Sequence, residues 1–323
     1  MRKLIVFAFL AGAIATLAAI PAAASSRGSN GRIVFARFDP ARGDDFVYTA
    51  NPDGSQEQQL LPTGAEVPHW SPDGTRIAVF PHDVENVSAR IVNPDDGTYR
   101  DLPNSDPDLF LPCFVWSSDE QRLACEGFGG PDGALDGIYT IRSSDGGDLQ
   151  QVTSDPGGDD CPGDYSPNGK RLALARVNDT TLALFTVKTD GTDLRQITPD
   201  GSDQFFVNFA CGLSWSPQGN EILFSAHAPA TDRSTVWAVH SDGSGLRRIP
   251  IPGCGGAASD PSSAGCFRPR WSPDGQKIVF SRFHAPEGED IYTVHADGTG
   301  LAPAVASSLD EGDTDWGTHP LVP

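Results

Sequence analysis

The chain has 323 residues, with 43 acidic against 23 basic side chains and a formal charge of -20, a balance that repels phosphate backbones and argues against a nucleic-acid partner. Outside the first 24 residues no apolar run approaches the ~20 residues a spanning helix needs, because Gly, Pro, Asp or Ser interrupts each one. Six cysteines, an even number, fit an oxidising compartment and up to three disulfides.

Met1-Arg2-Lys3, the apolar run Leu4 to Ile20 and the small residues Pro21-Ala22-Ala23-Ala24 form the three regions of a secretory signal peptide, with cleavage expected after Ala24. No cysteine near that site could accept a lipid. The expected mature chain is a secreted monomer, extracellular or periplasmic, without membrane insertion, and loss of Arg2 and Lys3 takes its charge to -22. Residues 25–30 read as a short linker, 31–318 as one repeat domain and 319–323 as a tail.

The repeat is carried by Trp-Ser-Pro-Asp-Gly at Trp70 to Gly74 and at Trp271 to Gly275, with weaker copies at Trp116, Tyr165, Trp215 and Trp316. These six anchors lie 46, 49, 50, 56 and 45 residues apart, the period of a four-stranded propeller blade. Each anchor but the last is followed by a short β-rich run, from Ile77 to Phe80 in the first case and Ile278 to Ser281 in the fifth; an unanchored copy, Ile33 to Ala36, opens the domain. A second run follows, then an Asp-Gly pair at 53, 96, 145, 190, 242 and 297 that supplies the positive φ of a tight hairpin. The runs are almost continuously apolar, as expected of strands covered on both faces. The fold class that follows is all-β: a six-bladed propeller of four-stranded antiparallel blades, closed when the strand around Thr314 to Thr318 joins the blade formed by residues 31–61.

Trp271 to Phe280, then Asp290-Ile291-Tyr292 and Asp297-Gly298, resemble the WD-repeat-like units of the TolB family of propellers, and the resemblance spans about residues 31 to 318. It implies a propeller that works in the periplasm by binding protein partners. Members of that family carry an N-terminal α/β domain, for which the roughly six residues between the expected cleavage site and Gly31 leave no room. Similar propellers precede the hydrolase domain of prolyl-oligopeptidase-type peptidases, and others belong to sugar lyases that gather histidines and a metal at the channel.

No G-x-S-x-G elbow, H-E-x-x-H pair, Walker loop, C-x-x-C pair or EF-hand loop occurs in the sequence. Of seven histidines only His69 falls on an expected inner strand, and one histidine does not make a metal triad. The expectation is therefore no catalytic residue, no metal and no cofactor. The loops leading into the anchors instead carry Asp108, Asp155, Asp159, Asp160, Asp203, Asp310 and Asp313 together with Phe110, Phe205 and Phe206. Acids mixed with phenylalanines at one channel mouth suit a protein or peptide partner, expected to be cationic. A metal-dependent polysaccharide-acting enzyme is the runner-up, and a structural envelope scaffold comes third. Cys113 and Cys125 flank a hairpin turn centred on Asp119 and are expected to pair; Cys254 and Cys266 bracket a Gly- and Ser-rich insertion and are expected to pair. Cys161 and Cys211 each stand four residues before an anchor, and could bridge adjacent blades if their Cα atoms come within about 7 Å.

Overall fold

The computed structural model describes residues 28–178, 182–199, 212–227, 233–256, 263–284 and 288–323, together with the backbone of 206–207. The expected signal segment, Asp203, Phe205 and Cys211 lie outside the described residues.

Six antiparallel sheets follow one another around a ring. From the axis outward, blade 1 contains Glu311–Trp316, Ile33–Asp39, Asp44–Ala50 and Gln58–Gln59; blade 2 contains Ala65–Trp70, Ile77–Pro81, Val87–Val92 and Tyr99–Pro103. Blade 3 runs from Cys113–Trp116 through Arg122–Gly129 and Gly137–Arg142 to Gln150–Gln151, and blade 4 from Asp159–Tyr165 through Arg171–Val177 and Leu182–Lys188 to Arg195–Gln196. Blade 5 has Ser214–Trp215, Glu221–His227, Thr235–His240 and Arg247–Arg248, and blade 6 has Gly265–Trp271, Lys277–His284, Gly288–His295 and Ala302–Val305. Short strands at Leu109–Phe110 and Phe206–Val207 extend the inner edges of blades 3 and 5. Among the described residues the only helix is a single 3-10 turn at Pro131–Gly133.

The ring closes as expected from the repeat, since the C-terminal strand pairs with Ile33–Asp39 inside blade 1. It begins at Glu311 rather than near Thr314, because the Glu311 carboxylate accepts from Arg37 Nε at 2.8 Å and carries the pairing further towards the N-terminal side. Closure by strand pairing leaves no open edge at the seam.

Each anchor aromatic is buried against the preceding blade. Trp70 packs with Val34, Val47 and Leu60 of blade 1, Trp116 with Ala89, Ile91 and Leu102 of blade 2, and Trp316 with Val279 and Ile291 of blade 6. The rest of the motif holds its own turn. Ser71 Oγ donates to Asp73 Oδ1 at 2.7 Å and accepts from Arg76 N, while Gly74 takes φ +71°; the same serine-to-acid bond recurs at Ser117–Asp119 and Ser272–Asp274. In the Asp-Gly turns, Gly97 has φ +70°, and a Cβ there would sit 2.3 Å from the Leu60 carbonyl oxygen of blade 1. Gly54 meets Ala304 O and Gly298 meets Pro250 O in the same way, so this turn docks each blade onto the outer strand of its predecessor. The aspartate of the turn accepts from the residue two positions on, as Asp96 does from Thr98 N and Oγ1.

The pairs Cys113–Cys125 and Cys254–Cys266 are disulfides with Cα atoms 3.9 and 5.7 Å apart. Cys161 is also disulfide-bonded.

Candidate functional site

The residue directly before each anchor lines a cavity of about 280 Å³ at the axis, giving a ring of His69, Val115, Asp164, Ser214, Arg270 and Asp315, one from each blade. Three of these side chains hold the next blade in place. Asp315 Oδ2 accepts from Trp70 N at 2.9 Å, Asp164 Oδ2 from Trp215 N at 2.8 Å, and Ser214 Oγ from Trp271 N at 3.0 Å. Arg270 crosses the lumen: Nη1 donates to the carbonyls of Leu213 and, at 3.4 Å, Gly163, and Nη2 to His69 Nε2 at 3.0 Å. A guanidinium can only donate, so Nε2 of His69 is the acceptor and the ring is neutral. Burial and the neighbouring Arg270 charge push the His69 pKa well below its usual value. Burial pushes Asp164 up to about 7 and Asp315 upward as well, in both cases against the pull of Arg270.

At the other end of the blades, three consecutive blades pair a phenylalanine with a carboxylate across the hairpin. Phe283 stands opposite Glu289 in blade 6, Phe38 opposite Asp45 in blade 1, and Phe80 opposite Glu66 in blade 2. Directly opposed residues share a sheet face. Phe38 and Phe283 are 38% and 39% exposed, and Phe110 of blade 3, 55% exposed, stands edge-on to Phe80 with ring centroids 5.5 Å apart. The carboxylates crowd one another. Burial raises Asp45, and the Asp313 and Glu66 charges add to it; burial raises Glu289 against the pull of Arg268, with Asp313 and Asp310 adding to the rise. Two cations sit among them: Arg268 Nε lies 2.8 Å from Asp313 Oδ1, and His82 lies between Glu66, 3.6 Å from Nε2, and Asp44, 2.6 Å from Nδ1. Glu66 first and Asp44 next push His82 up to about 9, against burial.

Of the acids singled out in the sequence, Asp310 and Asp313 belong to this mouth; Asp310 is exposed and accepts from Glu289 N at 3.0 Å. Asp155, Asp159 and Asp160 stand in or beside blade 4, on the opposite side of the ring. Asp160 is buried in a paired contact with Arg176, at 2.7 and 2.6 Å, and accepts from Thr153 Oγ1 at 2.6 Å. Asp155 accepts from the Asn178 amide and lies 3.5 Å from Arg176. Asp159 lies beside Glu126, whose carboxyl is held well above the usual range by burial and then by that neighbour. Asp108 is exposed on the turn before Phe110, with its N–H bonded to Asp106. The backbone of Phe206 pairs with His227. The sequence reading missed Phe38, Asp45, Glu66, Phe80, Phe283 and Glu289, which sit within hairpins rather than in the loops before the anchors. It also missed Asp164 and Arg270, although their place one residue before the anchor marks them in any alignment of the repeats.

Solved structures with this architecture include TolB from Acinetobacter baumannii, with TM-score 0.69 and 18% identity over 88% of this chain and 66% of that one. The fold is that of a TolB-like propeller. A putative TolB from Agrobacterium tumefaciens aligns with TM-score 0.62 and 18% identity over 91% of this chain and 94% of that one. An oligogalacturonate lyase in complex with manganese aligns with TM-score 0.58 and 12% identity over 85% and 74%. No family model matches the chain. An uncharacterized protein of Agrobacterium fabrum is 27% identical over 122 residues, covering 38% of this chain; the chain thus matches about a third of that relative's length, 35%. Among the described residues no three His, Cys, Asp or Glu side chains are grouped to hold a metal ion, and no helix is long and apolar enough to cross a membrane.

Proposed function

We propose that this TolB-like propeller is an extracytoplasmic binding protein that takes a cationic, partly apolar segment of a protein partner at the mouth formed by blades 6, 1, 2 and 3. The observation that carries the reading is the repeated pairing of phenylalanine with carboxylate on three consecutive blades, extended by the exposed Phe110. Apolar rings set among carboxylates that Arg268 and His82 balance only in part favour a chain bearing Lys or Arg next to an aliphatic or aromatic residue. The same mouth repels an acidic polysaccharide, which places binding of a cationic peptide ahead of lyase chemistry. Binding rather than catalysis is also favoured by the axis, where Asp164, Asp315, Ser214 and Arg270 are engaged in holding blades together. The disulfides and the TolB structures it resembles support a location outside the cytoplasm.

The test is a panel of short Lys/Arg- and Phe/Leu-bearing peptides, with acidic counterparts, titrated against the protein from about 50 to about 500 mM salt. The basic peptides are expected to bind, to weaken as salt rises, and to lose affinity when Asp45→Asn and Glu66→Gln are combined. Equal binding of acidic peptides, or affinity indifferent to salt and to the double variant, would overturn the reading.

A further inference from the structure

The geometry points to a second ligand site, at the opposite end of the channel from the mouth: the cavity ringed by the Trp-Ser-Pro turns binds one small organic cation, an alkylammonium head, between Asp164 and Asp315. The inference goes beyond the proposed mouth, because it concerns different residues at the other end of the blades.

Charge accounting is the first argument. Asp164 and Asp315 both line the cavity, and Arg270 is the single cation of the ring. Its guanidinium donates to Leu213 O, Gly163 O and the neutral His69 ring rather than to either carboxylate. The hydrogen bonds described for the two carboxylates come from backbone N–H groups of the anchors, Trp215 to Asp164 and Trp70 and Trp316 to Asp315. With both acids ionised the lumen therefore holds one negative charge in excess. Asp164 and Asp315 are half-buried in this confined lumen; a charge held there without a counter-charge is costly, and it is relieved by taking up either a proton or a cation.

The walls decide which cation. Trp70, Trp116, Tyr165, Trp215, Trp271 and Trp316 surround the space, with Pro72, Pro167, Pro217 and Pro273 at its entrance. Aromatic and proline surfaces suit a weakly hydrated organic cation. A hard metal ion needs six to eight oxygen ligands or a tight octahedron, and this ring offers two carboxylates whose Oδ2 atoms already accept from backbone N–H. The volume of about 280 Å³ admits a small ammonium and no more than a short chain.

Ligand and proton compete for one charge. Asp164 faces the positive Arg270, the like charge of Asp315 and the neutral His69 around the ring, and its pKa of about 7 means that part of the protein carries a proton there at neutral pH. A cation entering the lumen must displace it, so binding releases a proton and strengthens as pH rises.

The test titrates the protein with tetramethylammonium and n-butylammonium chloride, read by intrinsic tryptophan fluorescence, since five tryptophans line the cavity, and by calorimetry in two buffers of different ionisation enthalpy. We expect saturable binding of one cation, with affinity falling towards about tenfold per pH unit below about pH 7 and proton release measurable between the buffers. Asp164→Asn keeps an oxygen for Trp215 N while removing the charge, and should weaken binding and flatten its pH dependence near pH 7. If that variant does not fold, Asp315→Asn should weaken binding and move proton release to lower pH, because the like charge that raises Asp164 is gone. Absence of saturable binding to the wild-type protein overturns the inference, as does calcium binding in preference to the organic cations. Undiminished affinity in the folded variant does the same.

Discussion

Replacing Asp160 with asparagine should cost stability and leave partner affinity alone, although its place in an acidic run makes it look like a surface ligand. The carboxylate is 1% exposed and receives Arg176 Nε at 2.7 Å, Arg176 Nη2 at 2.6 Å and Thr153 Oγ1 at 2.6 Å. Thr153 Oγ1 in turn accepts from Ile138 N, so the acid fixes the junction between the outer part of blade 3 and the inner hairpin of blade 4. Asparagine keeps one acceptor oxygen and turns its NH2 towards groups that donate. Removing one partner of a buried ion pair costs about 3–5 kcal/mol. Arg176 keeps Asp155 at 3.5 Å and some contact with water, which places the expected loss near the lower end, about 3 kcal/mol. Against a total stability on the order of 10 kcal/mol, that is a displacement of the urea midpoint well beyond error. Asp160→Asn and Arg176→Met are compared singly and together by urea unfolding; the double variant should recover part of the loss because the guanidinium left without Asp160 is removed with it, although Asp155 then loses its contact with Arg176. Unchanged stability of Asp160→Asn, combined with loss of peptide affinity, would refute the assignment of Asp160 to blade packing.

Two further perturbations address the mouth and the blade interfaces. The pKa of His82 is raised in the fold by Glu66 and Asp44, so its contribution is complete below the unfolded value near 6.5 and is lost as pH rises through about 9. The wild-type unfolding free energy from urea melts should therefore fall across that window, by roughly 1 kcal/mol after allowance for solvent screening, while His82→Gln removes this decline; an identical slope in the variant would show that the histidine is not held by these acids. Gly97→Ala places a Cβ 2.3 Å from Leu60 O at φ +70°, combining a left-handed backbone cost of about 1–2 kcal/mol with displacement of blade 2 from blade 1. The thermal midpoint should drop, and an unchanged melt would mean that the turn does not dock as described.

The architecture was legible because its signals are local. Trp-Ser-Pro-Asp-Gly contains both partners of its own turn, Ser71 and Asp73, as well as the glycine that takes the positive φ. The aromatic ahead of it then has only the neighbouring blade to pack against. Cys113 and Cys125 could be paired from their symmetry about Asp119 because hairpin register follows from the turn, and the structure sets them opposite one another.

The placement of charge was not legible in that way, because it depends on which face of a strand a residue occupies. Asp159 and Asp160 are neighbours in sequence, yet successive side chains of a strand point to opposite faces. Asp160 falls opposite Arg176 and disappears into an ion pair, while Asp159 falls opposite Val177 and meets Glu126. Composition alone treats the two as equivalent. The mouth acids were missed for the complementary reason: Asp45 and Glu66 look like ordinary strand-end residues until the register sets them against Phe38 and Phe80. The lumen ring lies between these cases. No local signal distinguishes Asp164 from its neighbours, but one residue per blade at a fixed offset from the anchor must converge on the axis of a closed ring. His69, Asp164, Arg270 and Asp315 thus become a single electrostatic unit through six-fold repetition, with a charge balance that no one repeat determines.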